Sequence, residues 1–480
     1  MVPSGAVGDF DWLTAIAVES LVRLEASISR QRLISKKPEY HAILEKMVEV
    51  CSSYKSVFFD HVGLFNHTFE GGAVSAIDQL KIRQVLRHSA GAFLALHELA
   101  LFLPRESIRH ELVSYCECLF REEFKIERIS IILTSVFNAF EYSLDDVMKI
   151  LSIDVFRMKI PNPDDLPFGH VMELAVVDRD NPLSWAILAH EFGHYIDHTA
   201  GMSKAVAKEF VDNTFKSAAT PQIQRTFERI GDEIVADLTA YYLLGPCGIA
   251  PILSMSLLAG LTLDQPIPFD NVHPLPATRF QILADLAARD NIPMDWLNPL
   301  HDALLREETR KEAALTDAER LNRKSVDEYI RYFCNHVQDF VLQELQKKGF
   351  RKFLRDDFDR SIRLLENLRQ GLPIGAARGL PDEEIRQRLF EGDLYADDVD
   401  HAARFNLLKE GPVNPAEVLT AGWLFKIERT PSLIREAFKK DTDNKVFEVV
   451  ASFVGNTDGL LLTSFEMISN LEKTHDSAGR

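Results

Sequence analysis

The chain has 480 residues, 46% of them hydrophobic and 26% charged, a balance that describes a globular protein and excludes a disordered one. Its formal net charge of −18 argues against a nucleic-acid backbone as the main partner, because a polyanion is gripped by a basic surface. Five cysteines, odd in number and without a recognisable spacing, fit reduced thiols in a cytoplasm better than a disulfide framework.

The N-terminal run Met1–Asp11 lacks a basic leader followed by an apolar core, so no signal peptide is expected and the expected location is cytoplasmic. Residues 11 to about 150 read as helices. Leu13, Ile16, Ala17, Leu21, Leu24 and Ile28 trace one apolar stripe, and Ile82, Leu86, Ala90, Phe93 and Leu94 trace another. His97-Glu98-Leu99 begins like a metal motif but has Leu101 where a second histidine belongs, so it is expected to be structural. Cys116 and Cys118 have one residue between them, not the two of a zinc knuckle, and are expected to be structural thiols. Pro161–Pro167 is too rich in proline for continuous helix, and Gly169–Asp178 reads as a short strand or extended segment.

The stretch from Leu183 to His198 contains His190-Glu191-Phe192-Gly193-His194, the HExxH pattern, on a predicted helix. Residues four apart share a helix face, so His190 and His194 can present two imidazoles to one metal ion, with Glu191 beside them to polarise a water. The bland alternative is a helix whose two histidines merely lie at its surface. Residues 200–220, polar and rich in small side chains, look like a loop with short helix.

A strong helix is predicted over 221–244, where Ile223, Phe227, Ile230, Ile234, Leu238 and Tyr241 keep a helical period. It carries Glu233-Ile-Val-Ala-Asp237, again two acids four apart on one face. A catalytic zinc takes three protein ligands and leaves one position open, so Glu233 completes a two-histidine, one-glutamate set. Asp237, one turn on, is placed to accept the N–H of a ligand histidine and fix its tautomer.

This combination resembles the gluzincin class of metallopeptidases. Residue by residue, His190 and His194 match its histidine ligands, Glu191 its general base, Glu233 its third ligand and Asp237 the carboxylate behind the ligands. The metzincin pattern is not met, since its third histidine would fall at Ala200 and its glycine at Asp197. His198 is one turn beyond His194, where a cleft-side or structural role is favoured over a metal ligand. In peptidases of this general kind an edge strand upstream of the motif helix pairs with extended substrate, which makes residues 169–178 a candidate for that role, the alternative being a core strand.

Residues 241–263 carry no charge and would reach across a bilayer, but Gly245, Pro246, Gly248 and Pro251 break the run, so a buried core helix is favoured over a membrane anchor. Asn271-Val-His-Pro-Leu-Pro-Ala-Thr-Arg-Phe280 then resembles the HP…R element of the CAAX prenyl peptidases and their soluble relatives. That resemblance implies that His273 and Arg279 face the metal site and donate to the oxyanion of the reacting carbonyl. The alternative is an ordinary helix start with Arg279 in a surface pair. The membrane helices and export signals common in those relatives are not evident, so their substrates do not carry over. The resemblance covers about 169–285.

Beyond it the chain reads as helical: a seam of Tyr329, Phe333, Val337, Phe340, Val341 and Leu345, a break at Gly371–Pro381, a helix opening at Asn414-Pro415, and a last apolar stretch near Gly459–Ile468. The expected architecture is mainly α, a zincin-type helical core with at most a small β-sheet. It divides into an N-terminal helical scaffold or gate (1–160), a metallopeptidase core (161–285), a helical region packed on it (286–370) and a C-terminal helical region (371–480). The expected activity is zinc-dependent hydrolysis of a protein or peptide substrate, with room for a regulatory partner on the helical flanks. The competing expectations are a peptidase-like binding protein without turnover and a membrane-associated peptidase anchored through 241–263.

Overall fold

The computed structural model describes residues 9–34, 44–45, 48, 55, 77–87, 109–120, 129–134, 141–143, 170–175, 178–216, 220–262, 274–312, 315–374, 413–440 and 445–478. Twelve helices are named below. They are α1 (Asp9–Ile34), α2 (His110–Phe120), α3 (Ile187–Ala200), α4 (Met202–Phe215), α5 (Pro221–Leu244), α6 (Ala250–Thr262), α7 (Pro276–Arg289), α8 (Asn298–Glu312), α9 (Asp317–Lys347), α10 (Arg355–Arg369), α11 (Pro415–Lys440) and α12 (Lys445–Ala478). Three short strands, β1 (Ile129–Thr134), β2 (Glu141–Ser143) and β3 (His170–Ala175), form one small sheet. The protein is mainly α, as its periodicity predicts.

Helix α5 is the axis of the fold. Thr220 caps it by accepting the Ile223 N–H at 3.2 Å, Pro221 occupies its first turn, and Gly245 ends it with φ 65°, which a residue bearing a Cβ adopts only under strain. Its face from Phe227 to Leu244 is almost wholly buried against α3, α4 and α9. The predicted start of the motif helix at Leu183 is modified: Pro182–Ala186 form a 3-10 turn, and the α-helix proper begins at Ile187. The loop expected over 200–220 is instead largely α4. Gly201, left-handed at φ 66°, ends α3, and Met202, Ala207, Phe210 and Val211 give the next helix a buried stripe that the polar composition hid.

The strand expected over 169–178 is β3, but it is not an edge. It lies in the middle of the sheet, parallel to β1 from Ile129↔His170 to Thr134↔Ala175 and antiparallel to β2 from Glu141↔Met172 to Ser143↔His170. Its backbone groups are taken up on the β1 side along its whole length and on the β2 side over its first half, so the substrate-pairing role expected of an edge does not fit this strand.

The apolar run 241–263 is not one straight element. The segments Pro221–Gly248 and Ala250–Leu258 meet at 82°, and the run from Tyr241 to Leu253 is buried among the other helices. One helical window, Val446–Ile468, is long and apolar enough to cross a membrane by length and composition, and 39% of it is buried inside the fold.

A single apolar core extends from Trp12 to Ile468, so the four regions expected from the sequence share one interior. The C-terminal helices reach directly to the motif turn. Trp423 of α11 donates its indole N–H to the Leu183 carbonyl at 3.1 Å, and Trp185 packs with Tyr115 of α2 and Phe465 of α12. Cys116, Cys118, Cys247 and Cys334 are all free thiols.

Helices α10 and α11 meet over a buried acid. Glu417 is fully buried, accepts the Asn414 N–H at 3.2 Å and has Arg360 at 3.5 Å. Burial and the nearby Asp357 push its carboxyl up to about 7, with Arg360 and the Asn414 N–H opposing. The folded protein therefore holds a proton between pH 4.5 and 7 that the unfolded chain releases, and stability falls as pH rises through that window. Urea denaturation at pH 5 and pH 8 is expected to show Glu417→Gln losing about 1–3 kcal/mol less than the parent over that rise.

Candidate metal centre

Two helices build the site because they touch backbone to backbone. A Cβ on Gly193 of α3 would fall 2.3 Å from the Ala236 Cα of α5, so only glycine fits there. That contact lies between the two histidines and the acid they face. His190 and His194 stand one turn apart with ring centroids 4.9 Å from each other, and Glu233 projects from α5 between them.

The imidazoles are turned the same way. His190 Nε2 lies 3.4 Å from Glu233 Oε2, and His194 Nε2 lies 3.8 Å from Glu233 Oε1. The opposite nitrogens are each held by a different carboxylate. His190 Nδ1 is 3.1 Å from Asp237 Oδ1, and His194 Nδ1 is 3.0 Å from Asp232 Oδ2. With the proton on each Nδ1, beside these acids, both Nε2 lone pairs are left on the side of Glu233.

The donor set fits a metal ion. Ligand atoms at about 2.0–2.2 Å from a tetrahedral zinc stand roughly 3.3–3.6 Å apart. The 3.4 Å distance falls within that spacing and the 3.8 Å one just beyond it, and one ligand atom from each of His190, His194 and Glu233 lies within 4.8 Å of the others. These three residues could hold a metal ion; His190 and Glu233 are buried and His194 is half-buried. His198 is exposed and lies outside this cluster.

Burial alone would lower the pKa of His190. Hydrogen bonds and charge from Asp237 and Glu233 outweigh it and raise the value. His194 follows the same logic, with burial overcome by Asp232, Glu233 and Glu191, and its value stands well above the ordinary one. Asp237 goes the other way: burial would raise it, but Arg279 and His190 hold it below the usual carboxylate range. It is therefore ionised and a strong acceptor for the imidazole N–H. Glu191 is buried and close enough to bear electrostatically on both His194 and Arg279.

Arg279 is buried, not part of a surface pair. Its Nε and Nη2 donate to the two oxygens of Asp237, each at 2.7 Å, and Nη2 also stands 3.3 Å from Glu233 Oε2 and 3.5 Å from His190 Nδ1. Burial would lower its pKa, but Asp237, Glu233 and Glu191 outweigh that and raise it, so it is held as a cation. The guanidinium reaches from α7 to tie down the two acids of α5, which makes its task here one of positioning. His273, its expected companion, lies outside the described residues, as do the structural readings placed on residues 97–101.

Removing that fork leaves Asp237 and Glu233 as unbalanced buried charges. Arg279→Leu is expected to lower stability by about 3–5 kcal/mol, or to prevent folding, whereas Arg279→Lys keeps the charge but loses the paired geometry and costs less. Thermal unfolding of both variants checks the order; equal midpoints for leucine and parent would show that the fork is dispensable.

Asp232 is the site residue that sequence reasoning missed. The signal was its place one residue before Glu233, which turns it about 100° around the helix toward the second histidine. Asp232 in turn faces Asp197, whose carboxyl is pushed up to about 6 by burial and by that neighbour although Ser203 donates to it.

No family model matches this chain, and neither a curated protein nor a solved structure matches it. Fold and site together define a mainly helical protein with a cluster of two histidines and a glutamate able to hold a metal ion.

Proposed function

We propose that the protein is a zinc-dependent peptidase of gluzincin type, and the observation that carries this is the convergence of both Nε2 atoms on Glu233 with Glu191 beside them. His190, His194 and Glu233 would hold the ion. When bound there, zinc supplies a Lewis acid for a carbonyl oxygen and makes a coordinated water acidic near neutral pH.

The chain's own residues do the rest. Glu191 takes the proton of the attacking water and delivers it to the leaving amine, a task for a carboxylate kept next to cationic groups and away from bulk solvent. Asp237 and Asp232 fix the tautomers of the two imidazoles and increase their basicity. Arg279 keeps the acids of α5 ionised and in place. With its fork on Asp237 and Glu233, the oxyanion donor that the CAAX-peptidase resemblance offers is His273.

The purified protein is expected to contain one zinc per chain and to cut a broad peptide library in a manner abolished by a chelator and restored by zinc. Because both imidazoles have raised pKa values, their contribution to the stability of the metal-free protein is present below pH 6.5 and lost as pH rises through those values, while metal binding requires the protons to leave. The rise in melting temperature on adding zinc is therefore expected to be larger at pH 8 than at pH 6. Stoichiometric zinc without any cleavage would favour a binding protein that keeps the fold but does not turn over; absence of zinc binding removes the reading altogether.

A further inference from the structure

The helix that delivers Arg279 does not cap its own first turn. Helix α7 opens at Pro276 after Leu275, whose apolar side chain makes no capping hydrogen bond. The first N–H groups of a helix lack partners within it, and a serine, threonine, asparagine or aspartate just before the helix ordinarily serves them. Proline near the start removes one of these donors. The Arg279 N–H makes the first bond of the helix, to the Leu275 carbonyl at 2.9 Å, which leaves the Ala277 N–H to be met from elsewhere.

The acceptor comes from α8. Glu308 extends an oxygen to the Ala277 N–H at 3.1 Å, across 31 positions of sequence. A carboxylate there also faces the positive end of the α7 dipole. Its neighbour Glu307 points elsewhere, to Arg83 and Arg310, so these consecutive acids of α8 have separate tasks.

Helices α7 and α8 meet again one residue beyond Arg279. The rings of Phe280 and His301 are stacked, with centroids 4.2 Å apart and planes inclined by 15°. Burial holds the His301 imidazole below its ordinary pKa although Asp302 opposes it, so the stacked ring is neutral at neutral pH. Arg279 therefore lies between two grips of α8 on α7, one at Ala277 and one at Phe280.

We propose that Glu308 is a positioning residue of the metal centre: by capping α7 from α8 it sets where the Arg279 guanidinium stands against Asp237 and Glu233. This rests on the reading of His190, His194 and Glu233 as a zinc site. Arg279 belongs to the first turn of α7, the part of a helix that frays when its cap is lost. Its two bonds to Asp237 are 2.7 Å each, Nη2 stands 3.3 Å from Glu233 Oε2, and Asp237 in turn faces His190 Nδ1 at 3.1 Å. Movement of that turn is passed by the fork to one residue that would hold the ion and to the acid behind another.

Chelator competition on the full-length protein, reading zinc affinity, tests this. Glu308→Ala is expected to weaken zinc binding about three- to tenfold, the low end of what groups behind metal ligands contribute. Glu308→Gln keeps an acceptor oxygen at the same reach and is expected to stay within about twofold of the parent. Should the alanine variant not fold, Glu308→Asp, one methylene short of the Ala277 N–H, is expected to show the same loss. Thr316→Ala is the control, since it removes the cap of another helix, α9, where Thr316 accepts the Glu319 N–H at 3.3 Å. Thermal unfolding is expected to show Thr316→Ala losing about as much stability as Glu308→Ala, with zinc affinity unchanged. Parental zinc affinity in Glu308→Ala or Glu308→Asp overturns the proposal, as does an equal loss of affinity in Thr316→Ala. Glutamine failing along with alanine overturns the cap as the cause. A parent protein that binds no zinc overturns the reading of the site itself, and the proposal with it.

Discussion

Replacing Gly193 by alanine is expected to damage both the fold and the metal site. The added methyl would sit 2.3 Å from the Ala236 Cα and 3.0 Å from the Ala236 carbonyl oxygen and the Thr239 Cβ. Two of these three atoms are backbone, which cannot swing aside, so α3 and α5 must move apart. Overpacking of that kind costs about 1–3 kcal/mol, and here it falls at the contact that sets the distance from His190 and His194 to Glu233. Chemical denaturation should show the loss of stability. Competition with a chromophoric chelator should show zinc affinity falling at least about tenfold, because small shifts of ligand geometry are costly. If the variant keeps its midpoint within a few tenths of a kcal/mol and binds zinc as before, the close approach of the helices does not control the site.

The second large effect is expected at Glu191. Glutamine has nearly the same shape but cannot accept the proton of a water. Since Glu191 is not among the three clustered ligands, Glu191→Gln should retain one zinc per chain. Peptide cleavage should fall by about 10²–10⁴, the usual contribution of a positioned general base. The fall belongs in kcat more than in KM, because the proton moves only as the bond forms. Full activity in a zinc-loaded Glu191→Gln protein would sink the assignment. Loss of zinc along with activity would instead place Glu191 in the binding set and require a different base.

Much of this arrangement was legible beforehand, for reasons that can be named. Apolar residues repeating at helical spacing gave α1, α5 and the latter part of α9, and the spacing of four in both His190/His194 and Glu233/Asp237 put each pair on one helix face. What spacing does not contain is the contact between elements. Asp232 became visible only when α5 was set across α3, since nothing in an isolated Asp-Glu pair says that its first member meets a histidine. The glycine of the HExxH motif carried a legible hint, as did Ala236, because two small residues on facing helices permit close approach. Helix α4 was concealed by polar composition. Its buried stripe spans only four apolar positions and one serine, too few to outweigh the lysines and aspartate around them in a composition-based reading. The position of β3 inside its sheet was beyond reach, because strand order depends on partners more than 25 residues away in the chain.

The bond from Trp423 to the Leu183 carbonyl joins residues 240 positions apart, and Gly422 beside it lies in close contact with the methyl groups of Leu183 and Leu461. The turn that launches the motif helix is thus seated on helices contributed by the far end of the chain. The motif-bearing stretch is consequently not a cassette that could be excised or transplanted with its geometry intact: cut at residue 285, it would expose Leu183, Trp185 and the apolar face of α5 to water. The geometry of the site therefore depends on the C-terminal helices as well as on the motif itself.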